Sequence, residues 1–163
     1  MMTQARKIAL VALCFVSSLP FSLTALSQNL PDTAAPVPVA PTASKDPTLY
    51  QDLGGLPVIT QFVDATLVLA LADIRIKDTF KDTNMKRLAR LITEQFCELT
   101  GGPCKYSGDP MKEVHQGLGL SNMQFNALVE DLQLAMDQSH IPFRVQNKLL
   151  ALLAPMQRDV VTK

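Results

Sequence analysis

Chemistry in this chain rests on few groups: His115 and His140, the cysteines Cys97 and Cys104, and a scatter of carboxylates. A neutral imidazole can ligate a metal or a haem iron through one ring nitrogen while its other N–H meets a carbonyl. His115, in the run Val114-His115-Gln116-Gly117, is the candidate for that work. The alternative for a lone histidine near apolar residues is a structural one. His140 stands before Ile141-Pro142, in a turn between helices, and reads as a solvated loop histidine. The acids Asp64, Asp73, Glu94, Glu98, Glu113, Glu130 and Asp131 mostly fall on polar faces. None pairs with a histidine into a triad or a metal cluster, so solvation is the reading for all of them. Cys97 and Cys104 lack the further ligands of a structural zinc site. An oxidising compartment permits them to pair, two free buried thiols is the competing reading, and spacing decides neither. Gly54-Gly55 and Gly101-Gly102 lack the preceding strand and following lysine of a phosphate loop and read as helix terminators.

Whatever positions these groups must be a single small domain. The chain has 163 residues, 47% of them hydrophobic, with 15 basic and 15 acidic side chains and no formal net charge. That balance gives no electrostatic footprint for nucleic acid, and with no Trp and two Tyr there is no stacking platform for single strands.

Residues 1–27 read as an export signal. Arg6 and Lys7 close a positive start, Ile8 to Leu26 carries no charge, and Ala25-Leu26-Ser27 resembles a cleavage site that makes Gln28 the new N-terminus. The expectation is a periplasmic protein; the alternative is an uncleaved segment tethering it to the inner membrane, which Pro20 disfavours. Residues 28–47, with Pro31, Pro36, Pro38, Pro41 and Pro47 among Ala, Thr and Ser, form a disordered linker by composition. The folded domain spans 48–161.

Within it, Thr48-Leu49-Tyr50-Gln51 has the form of a capping box, predicting a short helix that stops at Gly54-Gly55. Pro57 opens a second helix, apolar nearly all round from Val58 to Ala72, as a helix buried on more than one side must be. After a loop over Lys77 to Thr83, Met85, Leu88, Leu91, Ile92, Phe96 and Leu99 recur at three- and four-residue steps and predict a third helix. Thr100-Gly101-Gly102-Pro103 ends it. Gly117 and Gly119 keep the chain after His115 from forming a long helix, and Ser121-Asn122-Met123-Gln124 is a second capping box. It opens a helix facing inward with Phe125, Leu128, Val129, Leu132 and Met136. A last helix carries Val145, Leu149, Leu152, Leu153 and Met156. Nothing alternates at period two, so the domain is predicted all-α.

The order of short motifs along this domain resembles the group 1 truncated haemoglobins. The resemblance is carried by Leu49-Tyr50-Gln51-Asp52-Leu53-Gly54-Gly55, Asp64, Phe80, Met85 with Arg87 and Leu88, Gly101-Gly102-Pro103, Tyr106, Gly108, Met111, Val114-His115-Gln116-Gly117 and Phe125. It covers nearly the whole domain. It implies a truncated globin, a two-over-two α-helical sandwich, holding haem b, with His115 as the iron ligand on a mostly non-helical segment and a diatomic gas (O2, NO or CO) on the opposite face. It further implies Phe80 packing on the haem face. Leu88, Ile92, Phe96, Met111, Val114, Leu118, Leu120, Phe125 and Val129 line the walls, and Arg87 and Tyr106 approach the propionates. For each of these residues alone, ordinary packing or a surface charge is the competing reading.

The departure from the family lies on the ligand side, formed by Phe62, Thr66, Leu67, Leu88 and Ile92. Many relatives carry a tyrosine where this chain has Leu67 and a glutamine where it has Ile92. No strong donor then faces the ligand unless Thr66 reaches inward. Dioxygen at haem iron carries partial negative charge, and a missing donor forfeits about 1.5 kcal/mol or more, tenfold and upward in retention. The resemblance therefore implies a five-coordinate ferrous iron, fast oxygen loss, and comparatively good binding of CO and NO. NO handling or sensing is the leading expectation. The alternatives are a nitric-oxide dioxygenase, which needs a reductase; a haem or electron carrier beside a membrane redox partner; and a haem-free interaction domain.

Overall fold

The computed structural model describes residues 48–163, so the export signal and linker read over 1–47 lie outside the described residues. The described residues are helical with no strand: α1 (Leu49–Asp52), α2 (Gly55–Ala72), α3 (Met85–Leu99), α4 (Met111–His115), α5 (Asn122–Gln138), α6 (Phe143–Leu153) and α7 (Gln157–Val160), with 3-10 turns at Lys77–Phe80 and Ala154–Met156. The architecture is the two-over-two helical sandwich. α2 packs along α3 on one flank and α5 on the other, while α6 closes against α1 and α5.

The helices start and stop largely where local chemistry requires. Asn84 caps α3 by accepting the Arg87 N–H at 3.0 Å. Ser121 caps α5 reciprocally: its hydroxyl accepts the Gln124 N–H while the Gln124 amide oxygen accepts the Ser121 N–H. The box predicted at Thr48 does not form. Thr48 is itself in the right-handed helical region, at φ −92° and ψ −20°, and its hydroxyl donates to Asp52 instead. Pro155 has no N–H to continue α6, which ends at Leu153, so Met156 lies in the following 3-10 turn rather than in the last helix.

The main core gathers Leu49, Leu53, Ile59, Phe62, Val63, Leu67, Phe96, Cys97, Leu132, Ala135, Met136, Ile141 and Leu149, every one buried. Phe62 and Phe96 meet with ring centroids 6.1 Å apart. A smaller cluster of Ala70, Ile76 and Ala127, with Phe80 and Leu128 against it, fills the far end of the α2–α5 seam. α2 is long and apolar enough to cross a membrane, yet it is the central core helix here, and its apolar character is not fully used: Val68 and Leu71 remain 69% and 46% exposed. Burial on more than one side is met by α3 and α5, and the face that carries Val68 and Leu71 is left uncovered.

Candidate functional site

Pro110 ends the loop after α3 and starts the single turn of α4, which terminates at His115 itself. The histidine thus sits at the last residue of a five-residue helix within an otherwise non-helical stretch from 100 to 121, in keeping with the mostly non-helical segment that the resemblance implies. Its Nδ1 lies 2.7 Å from the carbonyl oxygen of Met111, one turn back. That carbonyl can only accept, so Nδ1 carries the proton and Nε2 presents a free lone pair. Beyond α4 the chain turns through Gly117 and Gly119, whose φ of 79° and 63° lie in the left-handed region that side chains disfavour. A Cβ added at either would meet nothing within 4 Å, so backbone conformation, not crowding, is the reason for glycine here.

Apolar residues stand on either side of His115 along the chain and are not closed over. Val114 and Leu118 are exposed, while Met111, Leu120, Phe125 and Val129 are half-buried. The carbonyl of Leu120 accepts two N–H groups of the C-terminal tail, from Thr162 and Lys163, at 2.9 and 3.1 Å. Among the described residues no three His, Cys, Asp or Glu side chains group to hold a metal ion. One free imidazole nitrogen framed by apolar surface suits a flat macrocycle that brings four nitrogens of its own, not a bare cation.

On the other side, Phe62, Leu67 and Phe96 are buried together in the core, with Leu88 and Ile92 packed against them. Thr66 is buried, but its hydroxyl donates to the Phe62 carbonyl of its own helix at 2.7 Å and is spent there. Phe80 packs in the smaller cluster with Ala70, Ile76 and Ala127. The guanidinium of Arg87 is exposed in a shallow groove with Asn84, Lys86 and Arg90. The Tyr106 hydroxyl donates to the Asp109 carbonyl at 3.0 Å. Partial burial raises that phenol's pKa and the Asp109 charge adds to it, while the charge of Arg87 pulls the other way.

Several residues do more than their sequence context suggested. Cys97 and Cys104 form a disulfide, with Cα atoms 5.7 Å apart. Glu98 Oε2 accepts the Tyr106 N–H at 2.9 Å, and Glu94 Oε2 accepts both the N–H and the hydroxyl of Ser107, at 3.1 and 2.6 Å. These contacts, with Arg90 assisting, hold the Glu94 carboxyl below its usual range. Reading Glu94 and Glu98 as solvated is therefore corrected. Their placement one turn apart beside Cys97 was the available signal. Gly102 is more than a terminator, since a Cβ there would come within 2.5 Å of the Tyr50 ring and 2.7 Å of Cys97 Sγ. His140 lies as predicted, exposed in the turn between α5 and α6.

Known proteins resemble this chain in sequence and in fold. A family model described as bacterial-like globin matches residues 48–162. A group 1 truncated hemoglobin of Mycolicibacterium paratuberculosis is 32% identical over 115 residues, 71% of this chain and 85% of that protein. One from Tetrahymena pyriformis is 31% identical over 120 residues, 74% of this chain and 99% of its own. The crystal structure of the Tetrahymena pyriformis truncated hemoglobin in its Fe(III) form superimposes with a TM-score of 0.68 at 30% identity, covering 71% of this chain and 98% of that one.

Proposed function

From the premise that the chain belongs to the bacterial-like globin family, as a group 1 truncated haemoglobin, we propose that His115 Nε2 is its iron ligand and that its ligand side is tuned away from oxygen storage toward nitric oxide. Membership carries haem iron and the binding of a diatomic gas. Haem, when bound, would supply the iron at which the gas binds, and His115 would hold it. The observation that carries the finer reading is the 2.7 Å contact of His115 Nδ1 with the Met111 carbonyl. It fixes the tautomer, orients the ring and leaves Nε2 as the single unengaged imidazole nitrogen near apolar walls. Met111, Val114, Leu118, Leu120, Phe125 and Val129 supply apolar surface to exclude water on that side.

The ligand side follows from donors present and spent. Leu67, Leu88 and Ile92 have none to give, and the Thr66 hydroxyl is committed to Phe62. A ligand that gains negative charge therefore forgoes about 1.5 kcal/mol or more of charge-assisted hydrogen bonding, roughly a tenfold loss of retention. NO and CO depend less on such a donor. None of Phe62, Thr66, Leu67, Leu88 and Ile92 is a histidine or lysine, so none of them would compete with the gas for a bound haem iron. Arg87 and Tyr106, close enough for the charge of one to act on the other, are the groups for the propionate edge. We place the protein in the periplasm, on the character of residues 1–27.

The test is the visible spectrum of the full chain, purified with haem supplied, in ferric, ferrous and CO forms. The expected result is a high-spin ferrous spectrum that converts to a sharp carbonyl Soret band, with both lost in His115→Ala. Stoichiometric haem with an unchanged ferrous spectrum in His115→Ala overturns the ligand assignment.

A further inference from the structure

The segment that carries His115 is held at successive points by α3. Cys104 is bonded to Cys97, Tyr106 N–H donates to Glu98, and Ser107 donates twice to Glu94. Arg90 completes this clamp by donating to the Ser107 hydroxyl at 2.9 Å and to Glu94. One turn beyond Ile92, the Gln95 amide donates to Met111 Sδ at 3.5 Å, and Met111 is the residue whose carbonyl receives the His115 ring proton. The loop has little else to fix it: Lys105, Ser107, Asp109 and Pro110 are exposed. A five-residue helix such as α4 does not hold its own position either; it leans on α7 and on the loop that leads into it.

We propose that Glu94, Glu98 and the Cys97–Cys104 disulfide are positioning groups for His115: α3 sets the ligand side directly with Leu88 and Ile92, and through this clamp it sets the place and tilt of the imidazole on the opposite side. The inference rests on His115 being the iron ligand. It assigns to one helix both faces of the site, so a change in the clamp reaches the iron without altering any residue that touches it. The clamp is also redox-sensitive. Cys104 is half-buried and Cys97 fully buried, so the thiolate of a dithiol reductant attacks Cys104 Sγ and Cys97 departs as thiolate with the bonding pair. The reductant's second thiol then releases Cys104. The S–S bond has taken two electrons and two protons, and the dithiol has become a disulfide. Glu94 and Glu98 remain, so reduction loosens the clamp without dismantling it.

The experiment uses the full-length, haem-loaded ferrous protein and two readouts: the iron–histidine stretching band by resonance Raman, and the rate of haem loss to an excess of high-affinity apo-globin. Dithiothreitol-treated wild type, Glu98→Ala and Glu98→Gln are compared. Reduction and Glu98→Ala are each expected to shift or broaden the band and to speed haem loss about tenfold. Glu98→Gln, which keeps an acceptor oxygen for Tyr106 N–H, restores most of both. Should Glu98→Ala fail to fold, the reduced wild type decides alone. An unmoved band in reduced wild type and in Glu98→Ala, in a protein whose band vanishes with His115→Ala, overturns the clamp and leaves the ligand assignment standing. Faster haem loss with an unmoved band, or no rescue by Gln, also overturns it, because the groups would then be merely structural. No iron–histidine band in the wild type overturns both readings.

Discussion

Along the seam of α2 with α5, Phe62, Ala70, Ala127, Ala135 and Met136 are fully covered, whereas beside His115 Val114 and Leu118 keep 40% and 57% of their surface exposed. The seam satisfies its apolar groups from within the chain. The His115 side presents apolar surface around one free nitrogen, which is what a flat hydrophobic cofactor can cover. The first region holds the fold whether or not haem is bound, and the second contributes stability only through binding, as the affinity for haem is added to that of the folded state.

Breaking the seam should have the largest effect. Phe62→Ala removes a fully buried ring and is expected to cost about 3–5 kcal/mol in the haem-free protein, measured by urea unfolding. A cost near zero would mean that the core is not where stability resides. On the other side, Ile92→Gln supplies the donor that the ligand side lacks. It should slow oxygen dissociation by about tenfold, in a stopped-flow measurement, while moving stability far less than Phe62→Ala does. An unchanged off-rate would show that Ile92 does not face the gas.

The smallest effect concerns the seam's own flaw. Asp131 is buried in α5, and its Oδ2 finds no hydrogen-bond partner among the described residues. Burial first, then the charges of Asp73 and Glu130, raise its pKa, and Arg75 opposes them while held in ion pairs by those two acids. The native state therefore holds this proton more tightly than the unfolded chain. The contribution to stability is complete below the ordinary carboxylate pKa and is lost as pH rises through the raised one. Asp131→Asn should raise Tm by a few degrees, ~2–4 °C, at neutral pH and by progressively less toward about pH 3. A gain that grows on acidification would reverse the sign and refute the argument.

What could be read beforehand follows the range of the forces involved. α3 runs from Met85 to Leu99 as its apolar spacing requires, and the Ser121 box closes as written, because both depend on neighbours three or four residues away. The Thr48 box fails because the backbone conformation of Thr48 turns its hydroxyl elsewhere. The exposure of Val68 and Leu71 depends on how many helices cover α2, which local pattern does not state. The disulfide, and the service of Glu94 and Glu98 to a loop eight to thirteen residues away, needed the loop's path in space. His115 stood out through the order of motifs around it, but the single helical turn that orients it did not, since Gly117 and Gly119 advertise irregularity on its far side only.

Tyr50 gives the domain a mechanical property. Its backbone N–H donates to the Thr100 carbonyl at 3.1 Å, its hydroxyl accepts the Leu56 N–H at 3.0 Å, and its ring lies against Gly102 beside Cys97. A tension applied where the chain enters at Thr48 is therefore carried sideways to the end of α3 and the disulfide, as well as along the chain into α2. Tyr50 thereby joins that entry to the covalently stapled end of α3, so a pull at Thr48 loads the same clamp that we propose places the imidazole.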